Sequence, residues 1–126
     1  MDLTPLVPED RKLIDSYRET GFKVSGEWHE GAILLLPTRV IPWTPPEDPR
    51  TLEPEHFAPL FEIGEPPEIL LIGLGSQGFL LPRALRAALR EKGPVPDAMA
   101  TGPACRTYNV LLAEGRLVAA ALIPGA

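Results

Sequence analysis

The chain has 126 residues, a net charge of -5, 44% apolar residues and 23% charged ones. That length suits one domain burying roughly two thirds of its unfolded surface, and the balance excludes disorder of the whole chain. The negative charge argues against a nucleic-acid binder that neutralises phosphates, and no segment reaches the roughly 18 continuous apolar residues of a membrane helix.

The first residues, Met1-Asp2-Leu3-Thr4-Pro5, carry neither a basic start nor an apolar stretch, so no signal peptide is expected. The lone Cys105 excludes an internal disulfide and fits a reducing compartment, which predicts a cytoplasmic protein. Sixteen prolines, nine arginines against three lysines, and single amides at Asn109 and Gln77 suit a heat-adapted (thermophilic) protein; a GC-rich genome gives a similar bias. Charge is uneven: residues 1–68 carry 14 acids and 6 bases, whereas residues 69–126 carry 3 acids and 6 bases. Either solvated charge is partitioned by chance, or the second half faces an anion or an acidic partner.

Residues 1–20 form an N-terminal arm or helix before a core over 21–126, with Pro8 to Glu19 open to either conformation and ended by Gly21. Phe22, Val24 and Trp28 alternate with polar residues and predict a strand that turns near Ser25-Gly26. Ala32 to Leu36 follows as a buried strand stopped by Pro37, giving an N-terminal antiparallel hairpin. Val40-Ile41 is one more short extended piece. Thr44 to Thr51 is a proline-rich loop. Glu53 to Phe61 predicts a helix with Pro54 in its first turn, short or broken because of Pro59.

From Pro67 the pattern becomes β-α-β. Glu68 to Ile72 reads as a buried strand, and Leu81 to Lys92 as a helix with Pro82 at its start and Gly93 past its end. Val95 to Ala100 is the next strand, parallel to the first because a helical crossover returns the chain that way. Thr101 to Ala113 allows a hairpin about Glu114-Gly115, but the spacing of Ala104, Tyr108, Leu111 and Leu112 favours a helix, with Thr101 as its N-cap. Arg116 to Ile123 then returns as a strand, antiparallel to its neighbours because so short a turn leaves no room for a crossover. The residues therefore give a mixed α/β sheet.

Two segments could carry chemistry. Gly73-Leu74-Gly75-Ser76-Gln77-Gly78 is a literal G-x-G-x-x-G, which in a dinucleotide fold brings backbone N–H groups to a pyrophosphate. Its helix starts late, Asp97 lies at the wrong end of the next strand for a ribose acid, and the chain lacks two mononucleotide halves. A turn needed for backbone geometry, or a smaller anion site, fits better. Thr101 to Asn109 is the second segment, placed beside the glycines if both strands are parallel. The helix start, Arg106, Thr107, Tyr108 and Asn109 would supply N–H groups, charge and neutral hydrogen-bonding groups. Gly73, Gly75, Thr101, Arg106, Thr107 and Asn109 are accordingly the candidate ligand-binding residues. The competing reading is structural: Thr101 caps, Tyr108 packs, and Asn109 satisfies buried backbone.

Cys105, in the first helical turn beside Arg106, is a candidate reactive thiol, although a small buried cysteine is the commoner fate. His29 and His56 lie far off in sequence, and one Cys with two spaced His makes no usual metal site. No catalytic residue, cofactor or metal is assigned. Trp43, if exposed with Thr44-Pro45-Pro46, is a candidate protein interface.

Gly31 to Pro37 followed by Trp43, Ile69 to Gly75, and Ala104-Cys105-Arg106-Thr107-Tyr108-Asn109 with Glu114-Gly115-Arg116 resemble the family of the mitochondrial complex I assembly factor 3. The resemblance covers about Gly21 to Pro124. It implies a three-layer α/β fold with a mixed central sheet and an antiparallel last strand. It also implies a non-catalytic helper in assembly of the respiratory NADH dehydrogenase, with no enzymatic activity, cofactor or catalytic residues to carry over. The chain departs from the mitochondrial member in its Thr44–Thr51 loop and in the lack of a targeting sequence. The expected function is a protein-interaction module with a protein partner, and no nucleic acid or membrane insertion. The alternative is a small-anion or nucleotide-binding protein using the cleft between Gly73–Gly78 and Thr101–Asn109.

Overall fold

The computed structural model describes residues 10–62 and 64–125. Among the described residues, eight strands form two sheets. Strands β1 (Ile14–Tyr17), β2 (Gly21–Val24) and β3 (Glu27–Glu30) make an antiparallel three-stranded sheet. Strands β4 (Ile33–Leu36), β5 (Arg39–Pro42), β6 (Ile69–Leu74), β7 (Val95–Met99) and β8 (Val118–Ile123) make the larger one, in the order β5-β4-β8-β6-β7. Helices α1 (Ala58–Phe61), α2 (Arg83–Glu91) and α3 (Thr101–Ala113) complete the chain, with short 3-10 helices at Pro49–Thr51 and Pro54–Phe57.

The described part of the 8–19 segment is extended rather than helical; Met1 to Glu9 lie outside the described residues. Ser25 and Gly26, with φ of 47° and 82°, make the tight left-handed turn that joins β2 to β3. The Asp15 carboxylate accepts the Gly26 N–H at 2.6 Å, fixing that turn onto β1. The hairpin expected between this region and Ala32–Leu36 instead divides. Strand β4 leaves the small sheet and pairs with β5 and β8. Its four residues are all buried, so it needs cover on both faces, which an edge position in a three-stranded sheet does not give.

Period-2 alternation sorts the large sheet's side chains into two cores. Leu34, Leu36, Leu70, Ile72, Leu74, Ala119 and Ala121 face α2, with Leu85 and Leu89, and the 43–61 segment, with Trp43, Phe57 and Leu60. Ile33, Leu35, Leu71, Val118, Ala120 and Leu122 face α3, with Ala104, Cys105, Tyr108 and Leu112, and the small sheet, with Ile14, Phe22 and Val24. The result is three layers.

One expectation is half met. Strand β8 is antiparallel to β4, but it is parallel to β6, with Ile69 opposite Val118 and Leu74 opposite Ile123. The short turn at Glu114-Gly115 does not set its direction. Helix α3 is itself the crossover, carrying the chain from β7 over β6 to its far side, and a crossover returns a strand parallel to its start.

Candidate functional site

The glycine run and the start of α3 meet at the carboxyl ends of β6, β7 and β8, where open α/β sheets place ligands. Here the protein's own atoms fill the junction. The Thr101 side chain is fully buried. Its hydroxyl accepts the Gly75 N–H at 2.8 Å and donates to the Ile123 carbonyl at 2.6 Å. The Thr101 N–H in turn donates to the Gly75 carbonyl at 2.8 Å. Thr101 is therefore the first helical residue and a clamp across β6 and β8, while Ala100 occupies the N-cap position. The expectation that Thr101 caps the helix fails because its hydroxyl has stronger claims elsewhere.

The glycines are explained by this contact. A Cβ on Gly73 would lie 2.9 Å from Leu122 Cδ2 and 3.0 Å from the Thr101 hydroxyl oxygen. One on Gly78 would lie 2.7 Å from the Ala100 nitrogen. Gly75, at φ 86°, turns the chain out of β6. Outside the junction, Gln77, Gly78 and Phe79 border an open depression shared with Asp48 and Arg50, which pair with each other at 3.2 Å.

Farther along α3 the candidates diverge. Asn109 accepts the Ile14 N–H at 2.9 Å and donates to the Ile14 carbonyl at 2.8 Å, so its amide completes a β1 backbone pair. Arg106 is exposed and donates to the Tyr17 hydroxyl at 2.9 Å. Thr107 is half-buried on the same helix. The structure thus brings Gly73, Gly75 and Thr101 together, whereas Arg106 and Asn109 bind the small sheet. Sequence reading had no signal for Ile14 and Tyr17 as their partners, more than 85 residues away, since neither lies in a motif.

Cys105 is 2% exposed, and burial pushes its thiol up to about 12, with Arg106 opposing only in part. The reactive-thiol reading is thereby corrected: desolvation outweighs the helix start and the neighbouring guanidinium. Tyr108 is fully buried, donates to the Leu36 carbonyl at 3.3 Å, and has its phenol raised by the same desolvation.

Trp43 is not exposed either. At 7% accessibility it packs tilted on Phe57, with ring centroids 5.5 Å apart, and its indole N–H donates to the His56 carbonyl at 2.7 Å. This removes the condition on which it was an interface residue; the exposed tryptophan is Trp28, at 42%. His56 is used locally, its Nδ1 accepting the Glu53 N–H at 2.9 Å. Among the described residues no group of three or more His, Cys, Asp or Glu is placed to hold a metal ion, and no helix is long and apolar enough to cross a membrane.

A mixed five-stranded sheet, covered by helices on one face and by a helix plus a small sheet on the other, defines a three-layer α/β protein whose strand ends are closed by its own helix. Residues 14–123 match the family described as "Protein of unknown function (DUF498/DUF598)", and the chain belongs to that family. It is 36% identical over 111 residues to an uncharacterised protein of Rhodobacter capsulatus, covering 88% of this chain and 83% of that one. It is 37% identical over 112 residues to human NADH dehydrogenase [ubiquinone] 1 alpha subcomplex assembly factor 3, covering 88% of this chain and 60% of the human protein. The chain thus spans less than two thirds of the assembly factor's length. A crystal structure titled as an outer membrane protein from Bartonella henselae superposes with a TM-score of 0.78 at 38% identity, covering 94% of this chain and 98% of that one.

Proposed function

We propose that this chain is a non-catalytic protein-interaction module that assists assembly of a respiratory complex and acts in the cytoplasm. The observation that carries this reading is the 37% identity to the human assembly factor across most of the chain. The geometry is compatible with it. In the 101–109 run, Thr101, Arg106 and Asn109 are engaged in internal hydrogen bonds and Cys105 is buried. The test is capture of tagged protein, after cross-linking, from source cells that respire through an NADH dehydrogenase. Enrichment of its subunits over a tagged unrelated protein supports the reading, and their absence overturns it.

The alternative, a small-anion or nucleotide site between Gly73–Gly78 and Thr101–Asn109, has less support because the Gly75 N–H and the Thr101 hydroxyl already serve each other. Failure of inorganic phosphate and AMP to shift the amides of Gly75 to Gly78 and Thr101 eliminates it.

A further inference from the structure

The opposite end of α3 carries a second feature. A cavity of about 200 Å³ there is lined by Arg11, Arg39 and Arg116, with one carboxylate in its wall, Glu65, and an apolar floor that includes Leu36 and Leu112. A 13-residue helix separates it from the glycine junction by about 20 Å. Three distant segments bring the arginines together, and each backbone is fixed. Lys12 ties the Arg11 segment down by donating its N–H to the Pro37 carbonyl at 2.7 Å. Arg39 opens β5. The Arg116 N–H donates to the Leu111 carbonyl at 3.0 Å.

Three acids lie near these arginines, Glu65 in the wall and Asp10 and Glu68 outside it. Arg11 and Arg116 each reach one exposed acid, Asp10 at 3.8 Å and Glu68 at 3.6 Å, contacts that hold a guanidinium weakly. Arg39 has no ion-pair partner among the described residues. The C-terminus of α3 contributes only about half a negative charge. The lining itself presents three arginines against one carboxylate, over a floor that includes Leu36 and Leu112, and an apolar floor strengthens the pull of a guanidinium on an anion.

Size and charge narrow the class. The volume lies below the roughly 300–1,000 Å³ of pockets that take drug-sized ligands, which suits a small anion rather than a nucleotide. A phosphomonoester brings a charge of about -1.5 to -2 and three acceptor oxygens, whereas a carboxylate brings one charge and two. Guanidinium forks match phosphate oxygens in pairs. We propose that this cavity binds a small phosphorylated metabolite, with its phosphoryl group held by Arg11, Arg39 and Arg116.

The experiment is an amide-shift titration by NMR with glycerol 3-phosphate, inorganic phosphate, acetate and sodium chloride at matched ionic strength. Saturable shifts of Leu36, Thr38, Arg39, Gly115, Arg116 and Leu117 with glycerol 3-phosphate, tighter than with inorganic phosphate, are the expected result. Arg39→Ala should weaken binding by about tenfold or more, and Arg39→Lys should recover part of it. Because Arg39 is exposed, both variants are expected to keep the dispersed spectrum of the folded protein. Tighter binding of inorganic phosphate overturns the metabolite assignment, and tighter binding of acetate overturns the phosphoryl one. Linear shifts equal to those with chloride, or shifts centred on Ser76 to Gly78, overturn the site itself.

Discussion

Asn109 and Ile14 form a two-point clasp: the amide oxygen takes the backbone N–H at 2.9 Å while the amide nitrogen gives a hydrogen to the backbone carbonyl at 2.8 Å. A side chain on α3 thereby does for β1 what a neighbouring strand would do. The two groups lie 95 residues apart, so the clasp joins the small sheet to the helix.

Asn109→Asp should be the revealing substitution, because it keeps the acceptor, loses the donor and adds a charge beside a carbonyl. With two hydrogen bonds at stake, Asn109→Ala should cost about 1–3 kcal/mol, and Asn109→Asp at least as much near neutral pH. Urea denaturation followed by circular dichroism measures both. An unchanged midpoint for either variant would show that the clasp adds nothing to stability.

Thr101 makes the sharper test of whether the glycine junction is structural. Thr101→Val preserves shape but leaves the Gly75 N–H and the Ile123 carbonyl without their partner. The loss should be about 2–4 kcal/mol, whereas Thr101→Ser should retain most of the stability. If valine and serine behave alike in denaturant unfolding, the hydroxyl is not what holds β6 and β8 together here.

Cys105 gives a pH dependence whose sign can be worked out. Its thiol rises from 9.0 to about 12 on folding, so between those values the unfolded chain has released a proton that the folded chain still holds. Stability is then undiminished below pH 9 and falls as pH rises, by at most about 1.4 kcal/mol per unit from this group. Tyr108, raised from 10.0, adds a second loss at higher pH. Thermal unfolding from pH 8 to 11 should show a shallower decline in Cys105→Ala than in the wild type. Native protein at pH 8 should also resist iodoacetamide, and urea should abolish that resistance.

The two tryptophans should separate by fluorescence. Trp28→Phe leaves the buried Trp43, with emission at shorter wavelength, while Trp43→Phe leaves the exposed Trp28, with emission at longer wavelength. Trp43→Phe should also destabilise by about 1–2 kcal/mol through the orphaned His56 carbonyl. Identical emission maxima in the two variants would contradict their placement.

Elements with strong periodicity were legible in the sequence. Glu68 to Ile72, Leu81 to Lys92, Val95 to Ala100 and Thr101 to Ala113 all took the predicted form within a residue or two. The direction of β8 beside β6 was not legible, because local turn length says nothing about which side of β6 the crossover reaches. Burial of Trp43 was hidden for a similar reason: it follows Pro42 and precedes Thr44-Pro45-Pro46 in sequence, but its neighbours in space are Phe57 and the His56 carbonyl. The glycines were recognised and their partner was not, since only the fold carries Thr101 into the space that a pyrophosphate would take. Arg11, Arg39 and Arg116 form no motif at all, and their meeting depends wholly on β5, β8 and the segment before β1 reaching one end of the sheet.

Strand β8 follows every strand it joins, yet it sits between β4 and β6. During synthesis the earlier strands must wait for it, with β4 and β6 each missing one hydrogen-bonding neighbour. A ribosome stalled before Val118 would release a chain with two adhesive, almost wholly apolar strand margins. Quality control of this protein should therefore hinge on β8: truncations before Val118 are expected to aggregate or be degraded rather than persist as partly working fragments.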